Sequence, residues 1–362
     1  MLVALWCAFG AVFLKEPSYR SSLVPNLPPE AQEVKMKMSK LSYRQKIGQL
    51  LITTLESTTL AEEEKILLQN GEISGFMLLN KNIKNPDQLK ELTAAIAKQA
   101  TLSGIKPFIA VDQEGGRVSR IPWIDTTAQS EITTYKEAVQ VAVKRGKELK
   151  DLGINVNFAP VVETTGSTVK TSFIERQGRA FTANSAKLAT AMVEGYKKIG
   201  IIPVAKHFPG GLGYTVSDPH QVLPKINLDK TELATDLKAF KQVIDSGAGA
   251  VMVTHLMYPH IDPAITSASP YFIADLLRGE LQFSGVVVVD DVTMKAVTSQ
   301  QKLDEFVLQS FTAGADLFIV SDLNNYRPVC ERLEAAFDKE DHLRKRLEDS
   351  VERVLILKER LE

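Results

Sequence analysis

Gly285-Val-Val-Val-Val-Asp-Asp-Val-Thr-Met294 opens as an apolar run too short for a buried helix and ends in two carboxylates. Four consecutive valines fit a strand buried on both faces, the pattern of a parallel sheet covered by helices. Seven more runs rich in Val, Ile and Leu resemble it: Gln49–Thr54, Gly75–Asn80, Pro107–Asp112, Ile154–Pro160, Ile202–His207, Gly249–His255 and Asp316–Ser321. Amphipathic stretches lie between them, at Pro86–Leu102, Ile132–Leu152, Ser185–Ile199, Asp229–Ser246, Pro270–Leu281 and Gln300–Ala313. This alternation predicts parallel strands joined by helical crossovers. Eight such strands in roughly 280 residues predict an α/β fold of the (β/α)8 type, a TIM-type barrel. The alternative is an open doubly wound sheet. Its usual nucleotide sites need a Gly-x-Gly-x-x-Gly turn or a Walker loop, and neither occurs.

Composition narrows the function classes. The chain has 362 residues, 44% apolar and 24% charged, as in ordinary globular proteins and unlike a disordered chain or a multi-span membrane protein. Lys plus Arg number 43 against 44 for Asp plus Glu, so nothing draws the protein toward nucleic acid. Two cysteines, Cys7 and Cys330, allow no Cys-x-x-Cys pair and support no zinc framework. A metal-dependent barrel hydrolase would be expected to carry a His-x-His motif. The five histidines, at 207, 220, 255, 260 and 342, make none, so neither a metal nor another cofactor is expected.

The N-terminus reads differently from the rest. Leu2–Leu14 is an unbroken run of apolar or small residues. As a helix it would span about 20 Å, short of the ~30 Å bilayer core but close to the apolar core of a signal peptide. No Lys or Arg precedes it and no Ala-x-Ala-like site follows. A linker with Pro25, Pro28 and Pro29 comes next. Two readings stay open: an export or anchor segment, which would attach the protein to a membrane and place it outside the cytoplasm, or a segment packed on the domain. The expected division is a segment over residues 1–32 and one catalytic domain over 33–362.

Polar residues gather where the strands end, at Asn80, Asp112, Lys206–His207, His255, Asp290–Asp291 and Ser321. In a barrel these ends converge on one mouth, where catalytic groups sit. Three segments carry the chemistry. In Ala110-Val-Asp-Gln-Glu-Gly-Gly-Arg-Val-Ser-Arg120, a carboxylate beside Arg117 and Arg120 could grip a hydroxyl-rich ligand or merely order the loop. In Lys206-His-Phe-Pro-Gly-Gly-Leu-Gly-Tyr-Thr-Val-Ser-Asp-Pro-His220, the glycines suggest a mobile loop. Asp218 and His220, two apart, can pair so that the imidazole serves as acid and then as base. In the valine strand, Asp290 is expected to point into the mouth and Asp291 to face away and cap the next helix.

These segments together resemble the single-domain β-N-acetylhexosaminidases of glycoside hydrolase family 3. The match runs from about Leu41 to Leu361. It includes Tyr43-Arg-Gln-Lys-Ile-Gly-Gln-Leu50, Gly75-Phe-Met-Leu-Leu-Asn80, Asp112-Gln-Glu-Gly-Gly-Arg-Val118, Asn157-Phe-Ala-Pro160, Gly178-Arg-Ala-Phe181, Lys206-His-Phe-Pro-Gly210 and Asp290-Asp-Val-Thr-Met294. The resemblance implies a retaining hydrolase that needs no metal. It implies Asp290 as the nucleophile and His220, supported by Asp218, in place of the usual carboxylic acid/base. It implies that Asp112, Arg120, Arg179, Lys206 and His207 bind the N-acetylglucosamine unit of a carbohydrate substrate, such as peptidoglycan fragments cut at the β-1,4 bond to muramic acid. The second α/β domain of family 3 β-glucosidases is not expected.

The sequence departs from the family pattern in four places. The loop Pro209-Gly-Gly-Leu-Gly-Tyr-Thr215 carries one extra residue before Asp218 and puts Tyr214 where an Asp is usual. Pro219 stands where a Ser is usual, and Glu163 where an Asp is usual. Rival functions are a phosphorylase or a β-glucosidase on the same scaffold, or a non-catalytic wall-binding barrel. Glu114 and Glu163 are the rival acid/base residues by position.

Overall fold

The computed structural model describes residues 29–165 and 171–361. Eight parallel strands close into a barrel: β1 (Leu51–Thr54), β2 (Gly75–Leu78), β3 (Phe108–Val111), β4 (Val156–Asn157), β5 (Ile202–Phe208), β6 (Ala250–Val253), β7 (Val286–Val289) and β8 (Leu317–Ile319). Each pairs with its chain neighbour, and Leu51 opposite Phe318 closes β1 on β8. The (β/α)8 expectation is met. Every expected strand overlaps an observed one, with Ile202–Phe208 running one residue past its expected end, and the expected amphipathic stretches form the helices outside.

The valine strand explains how the barrel is built. Val286 and Val288 lie in the inner cluster with Ile52, Phe108, Val204 and Ile319, whereas Val287 and Val289 pack in the outer layer against the helices. With a side-chain period of two, continuing that alternation puts Asp290 on the inner face and Asp291 on the outer. The same count along β3, from Phe108 and Ala110 inward, brings Asp112 to the mouth. Along β5, Ile202 and Val204 face inward and lead to Lys206. The register with β6 then shifts between Ala205 and Phe208, and Phe208 packs in the outer layer.

Local signals stop and start the helices that hold these strands. Thr134 and Asp229 cap the helices Tyr135–Asp151 and Lys230–Asp245, each with a glutamate three residues on that reaches back to the cap. Gly200, at φ 80°, ends Ser185–Ile199 and turns the chain into β5. At the opposite end of the barrel, Val354, Leu357 and Leu361 join the inner cluster and floor it, away from the mouth.

Residues 1–28, which hold the apolar Leu2–Leu14 run, lie outside the described residues. Helix Pro29–Ser39 crosses the division drawn at residues 32 and 33. It rests on the last helix, Asp341–Lys358, where Lys37 bonds Glu359 at 2.8 Å and Val34 is buried. Among the described residues, no helix is long and apolar enough to cross a membrane.

Candidate active site

The mouth holds a continuous chain of charged side chains. Asp112, at the end of β3, takes a 2.7 Å bond from Lys206 Nζ and a looser 3.5 Å contact from Arg120, which also reaches Asn80 at 3.3 Å. Lys206 Nζ also lies 2.6 Å from Glu114. Arg179 clasps the same Glu114 carboxylate through Nε at 2.7 Å and Nη2 at 3.0 Å. Arg179 Nη2 stands 3.2 Å from His207 Nε2, and His207 Nδ1 lies 2.7 Å from Glu163. All five expected sugar-binding residues therefore meet in one network. Arg117 stands exposed at the turn of the Gln113–Gly115/Val118–Ser119 hairpin, outside it.

Proton positions follow from the partners. A guanidinium can only donate, so His207 Nε2 accepts and Nδ1 carries the hydrogen given to Glu163. Burial, with Arg179 and Lys206 adding, holds the His207 pKa well below its ordinary value, so the ring is neutral. Burial raises Glu163 to about 8, with Asp236 adding and the backbone N–H groups of Leu212 and His207 opposing. Burial would also raise Glu114, but Arg179 and Lys206 outweigh it and bring its pKa down to about 2.

That depression has a stability consequence. A carboxyl with a lowered folded pKa contributes stability above its ordinary 4.5, lost as pH falls toward about 2. The contribution is on the order of 3 kcal/mol. Glu114→Gln should therefore be less stable than the wild type at pH 6, and its stability should fall less between pH 6 and pH 3. Urea unfolding of both proteins across that range checks it; equal slopes would contradict it.

Asp290 ends β7 beside this network. Thr254 Oγ1 donates to one carboxylate oxygen at 2.9 Å and the Asp291 N–H to the other at 2.9 Å. Burial works to raise its pKa, yet the positive surroundings, with Lys206 and His220 among them, bring it below its ordinary value, so Asp290 is a carboxylate. His255, behind it, takes a hydrogen bond from Ser267 on Nδ1 at 2.6 Å and donates from Nε2 to the Asp291 carbonyl at 3.1 Å. It steadies the turn after Asp290. Asp291 faces away, as expected, but the helix it was to cap, Lys295–Thr298, begins at Met294 without a side-chain cap. Asp291 instead accepts from the Thr293 N–H and hydroxyl, at 2.9 and 2.7 Å, and from the Ser321 hydroxyl. The turn outbids the helix because the Thr293 donors lie two residues away.

The expected dyad is assembled. His220 Nδ1 lies 2.8 Å from Asp218 Oδ1, and the His220 N–H reaches the same oxygen at 2.9 Å. The imidazole is 63% exposed, which leaves Nε2 open to a ligand. The buried Pro219 docks the turn: its carbonyl accepts from the Ala296 N–H at 3.3 Å, a few residues after Asp290.

The glycines of this loop also have a packing role. Gly210, at φ 106°, sits where a Cβ would come 2.6 Å from Asp236 Cγ. A Cβ on Gly213 would strike the Thr164 carbonyl. These glycines allow close packing in a buried stretch. Tyr214, at the position of the usual Asp, reaches Thr164 Oγ1 at 3.1 Å.

Three members of the site escaped the sequence reading. Glu114 and Glu163 stood there only as rival acid/base residues. Both are fully buried and held by N–H donors, which leaves neither to a substrate. Thr254 carried one available signal, its place at a strand end. Among the described residues, no cluster of three or more His, Cys, Asp or Glu could hold a metal ion.

Comparison with known proteins places these features in context. The family model described as the glycosyl hydrolase family 3 N-terminal domain matches residues 42–357. The chain is 31% identical over 341 residues to β-hexosaminidase A of Pseudoalteromonas piscicida; the match covers 84% of this chain and 56% of that protein. A family 3 β-N-acetylglucosaminidase from Paenibacillus sp. str. FPU-7 superposes with a TM-score of 0.82 at 31% identity, covering 88% of this chain and 62% of that one. NagZ from Neisseria gonorrhoeae, solved with N-trifluoroacetyl-D-glucosamine, superposes with a TM-score of 0.69 at 30% identity, covering 83% and 89%. The chain thus spans little more than half of the first of these relatives and most of the last.

Proposed function

This chain belongs to glycosyl hydrolase family 3, and on that premise we propose that it is a retaining β-N-acetylhexosaminidase. It removes terminal non-reducing β-linked N-acetylglucosamine, with peptidoglycan-derived fragments as the source. The observation that carries this reading is the Asp290 carboxylate at the barrel mouth, between the charged network and the His220–Asp218 pair. Relatives named β-hexosaminidase and a neighbour solved with an N-acylated glucosamine support the choice of sugar.

The groups act in two steps. Asp112, Arg120, Lys206, Arg179 and His207 hold the sugar hydroxyls and N-acetyl group. Asp290 attacks the anomeric carbon while His220, as imidazolium, passes its Nε2 proton to the departing glycosidic oxygen. The aglycone leaves as an alcohol and a glycosyl-Asp290 ester remains. Neutral His220 then takes a proton from water, whose oxygen attacks the anomeric carbon and frees Asp290. Asp218 keeps the Nδ1 hydrogen in place through both steps, so that Nε2 does the proton transfer.

The test compares aryl β-N-acetylglucosaminide with aryl β-glucoside, each with and without inorganic phosphate. The N-acetylglucosaminide is expected to be cleaved about 100-fold or more faster, because a site with polar groups committed to the N-acetyl amide loses those bonds with a plain hydroxyl. Free N-acetylglucosamine should be the product at any phosphate concentration. A phosphorylated sugar would establish a phosphorylase instead, and preference for the glucoside would overturn the sugar assignment.

A further inference from the structure

Glu163 touches two parts of the site that have different jobs. One oxygen accepts from the His207 ring N–H at 2.7 Å, and the other accepts from the Leu212 backbone N–H at 2.6 Å. His207 belongs to the charged network, and Leu212 opens the turn Leu212–Tyr214 on the way to Asp218 and His220. We propose that Glu163 is a positioning residue that fixes the sugar-contacting His207 and the loop bearing the acid/base His220 with one carboxyl group. The proposal rests on the roles given above to those two histidines.

The backbone beneath Glu163 is built for this. The Val162 N–H bonds the Lys206 carbonyl at 2.6 Å, and Val161 bridges Lys206, which fixes residue 163 to the end of β5. On the other side, Asp236 Oδ1 accepts the Thr164 N–H at 2.6 Å and its hydroxyl at 2.7 Å. Tyr214 bonds that same hydroxyl, a second tie between the loop and this platform. The Glu163 side chain thus leaves an anchored backbone and is fully buried, out of reach of bulk solvent. A carboxyl group suits the place because each of its oxygens lies against an N–H, and the Leu212 N–H opposes the burial that raises its pKa. An amide can satisfy only one of the two, since its NH2 must then face a donor. Holding Nδ1–H of His207 also keeps Nε2 as the acceptor for Arg179, which sets the side of the ring that meets the network.

The experiment measures two quantities on folded protein in four variants. The first is the rate ratio between a nitrophenyl β-N-acetylglucosaminide and a substrate with a poor leaving group. The second is inhibition by free N-acetylglucosamine. His220→Ala is expected to change only the first and His207→Ala mainly the second. Glu163→Ala removes both acceptors and is expected to change both, lowering cleavage of the poor substrate about tenfold more than the good one and weakening inhibition about tenfold, the worth of one hydrogen bond each. Glu163→Asp keeps the carboxyl group but is one methylene shorter, so both contacts lengthen. It should weaken both quantities by less, and it decides the matter if the alanine variant does not fold. A change in only one quantity in a Glu163 variant, or wild-type values in both, would overturn the proposal. Failure of the underlying reading shows elsewhere: His220→Ala without leaving-group dependence, or His207→Ala with unchanged inhibition.

Discussion

Asp290→Ala is expected to lower turnover of an aryl β-N-acetylglucosaminide by about 10⁴-fold while leaving the protein folded. Among the described residues, no second carboxylate stands ready to take over. Glu114 is locked between Arg179 and Lys206, Glu163 between His207 and Leu212, and Asp112 is bound by Lys206. Asp291 is turned away and spends its oxygens on Thr293 and Ser321. The fold should tolerate the change because, among the described residues, Asp290 accepts only the Thr254 hydroxyl and one backbone N–H, bonds worth about 1.5–3 kcal/mol each. Circular dichroism and a thermal melt test the folding, and initial rates test the loss. An activated fluoro-sugar that traps the ester should label Asp290 in the wild type. Label on Asp291, or near-normal turnover of the alanine variant, would remove Asp290 from its role.

Much of this arrangement could be read from the chain before any coordinates. The strand period of two forces Asp290, Asp112 and Lys206 inward once Val288, Ala110 and Val204 are known to face inward. Asp218 and His220 were legible because their pairing is local, two residues apart. The supporting carboxylates were not, because their meaning lies in partners far along the chain. Glu114 meets Arg179 across 65 residues, and Glu163 meets Leu212 across 49. Nothing in either neighbourhood distinguishes a buried charge clamp from a loop residue. The packing role of the glycines in the His220 loop was hidden for a related reason. A Gly-rich stretch signals backbone freedom, yet here the backbone uses it to approach Asp236 and Thr164. Asp291 was half legible: its outward direction follows from the period, and its partners do not.

The acid/base assignment yields the second large effect, in His220→Ala. A retaining enzyme needs one group that protonates the leaving oxygen and later deprotonates water. His220 is the titratable side chain at the mouth with an open nitrogen: Nδ1 is committed to Asp218, while Nε2 faces solvent from a turn docked beside the Asp290 segment. The loss on substitution should depend on the leaving group. A nitrophenolate departs with little protonation, so its glycosylation step should fall least. An alkyl glycoside or a disaccharide needs the proton and should fall by about 10²–10⁴-fold, the usual worth of general acid catalysis. The alkaline limb of the pH–rate profile should vanish in the variant, since it reports the group that must be protonated for the first step. Asp218→Asn should be milder: its amide can still meet His220 Nδ1, but it no longer carries the charge that stabilises the imidazolium. The cost should fall on the same poor substrates. The tests are a plot of log kcat/KM against leaving-group pKa, steeper in the variant than in the wild type, and the pH profile of each. If His220→Ala slows every substrate equally, the proton comes from elsewhere, and the extra residue and Pro219 in this loop have moved the catalytic role off the histidine.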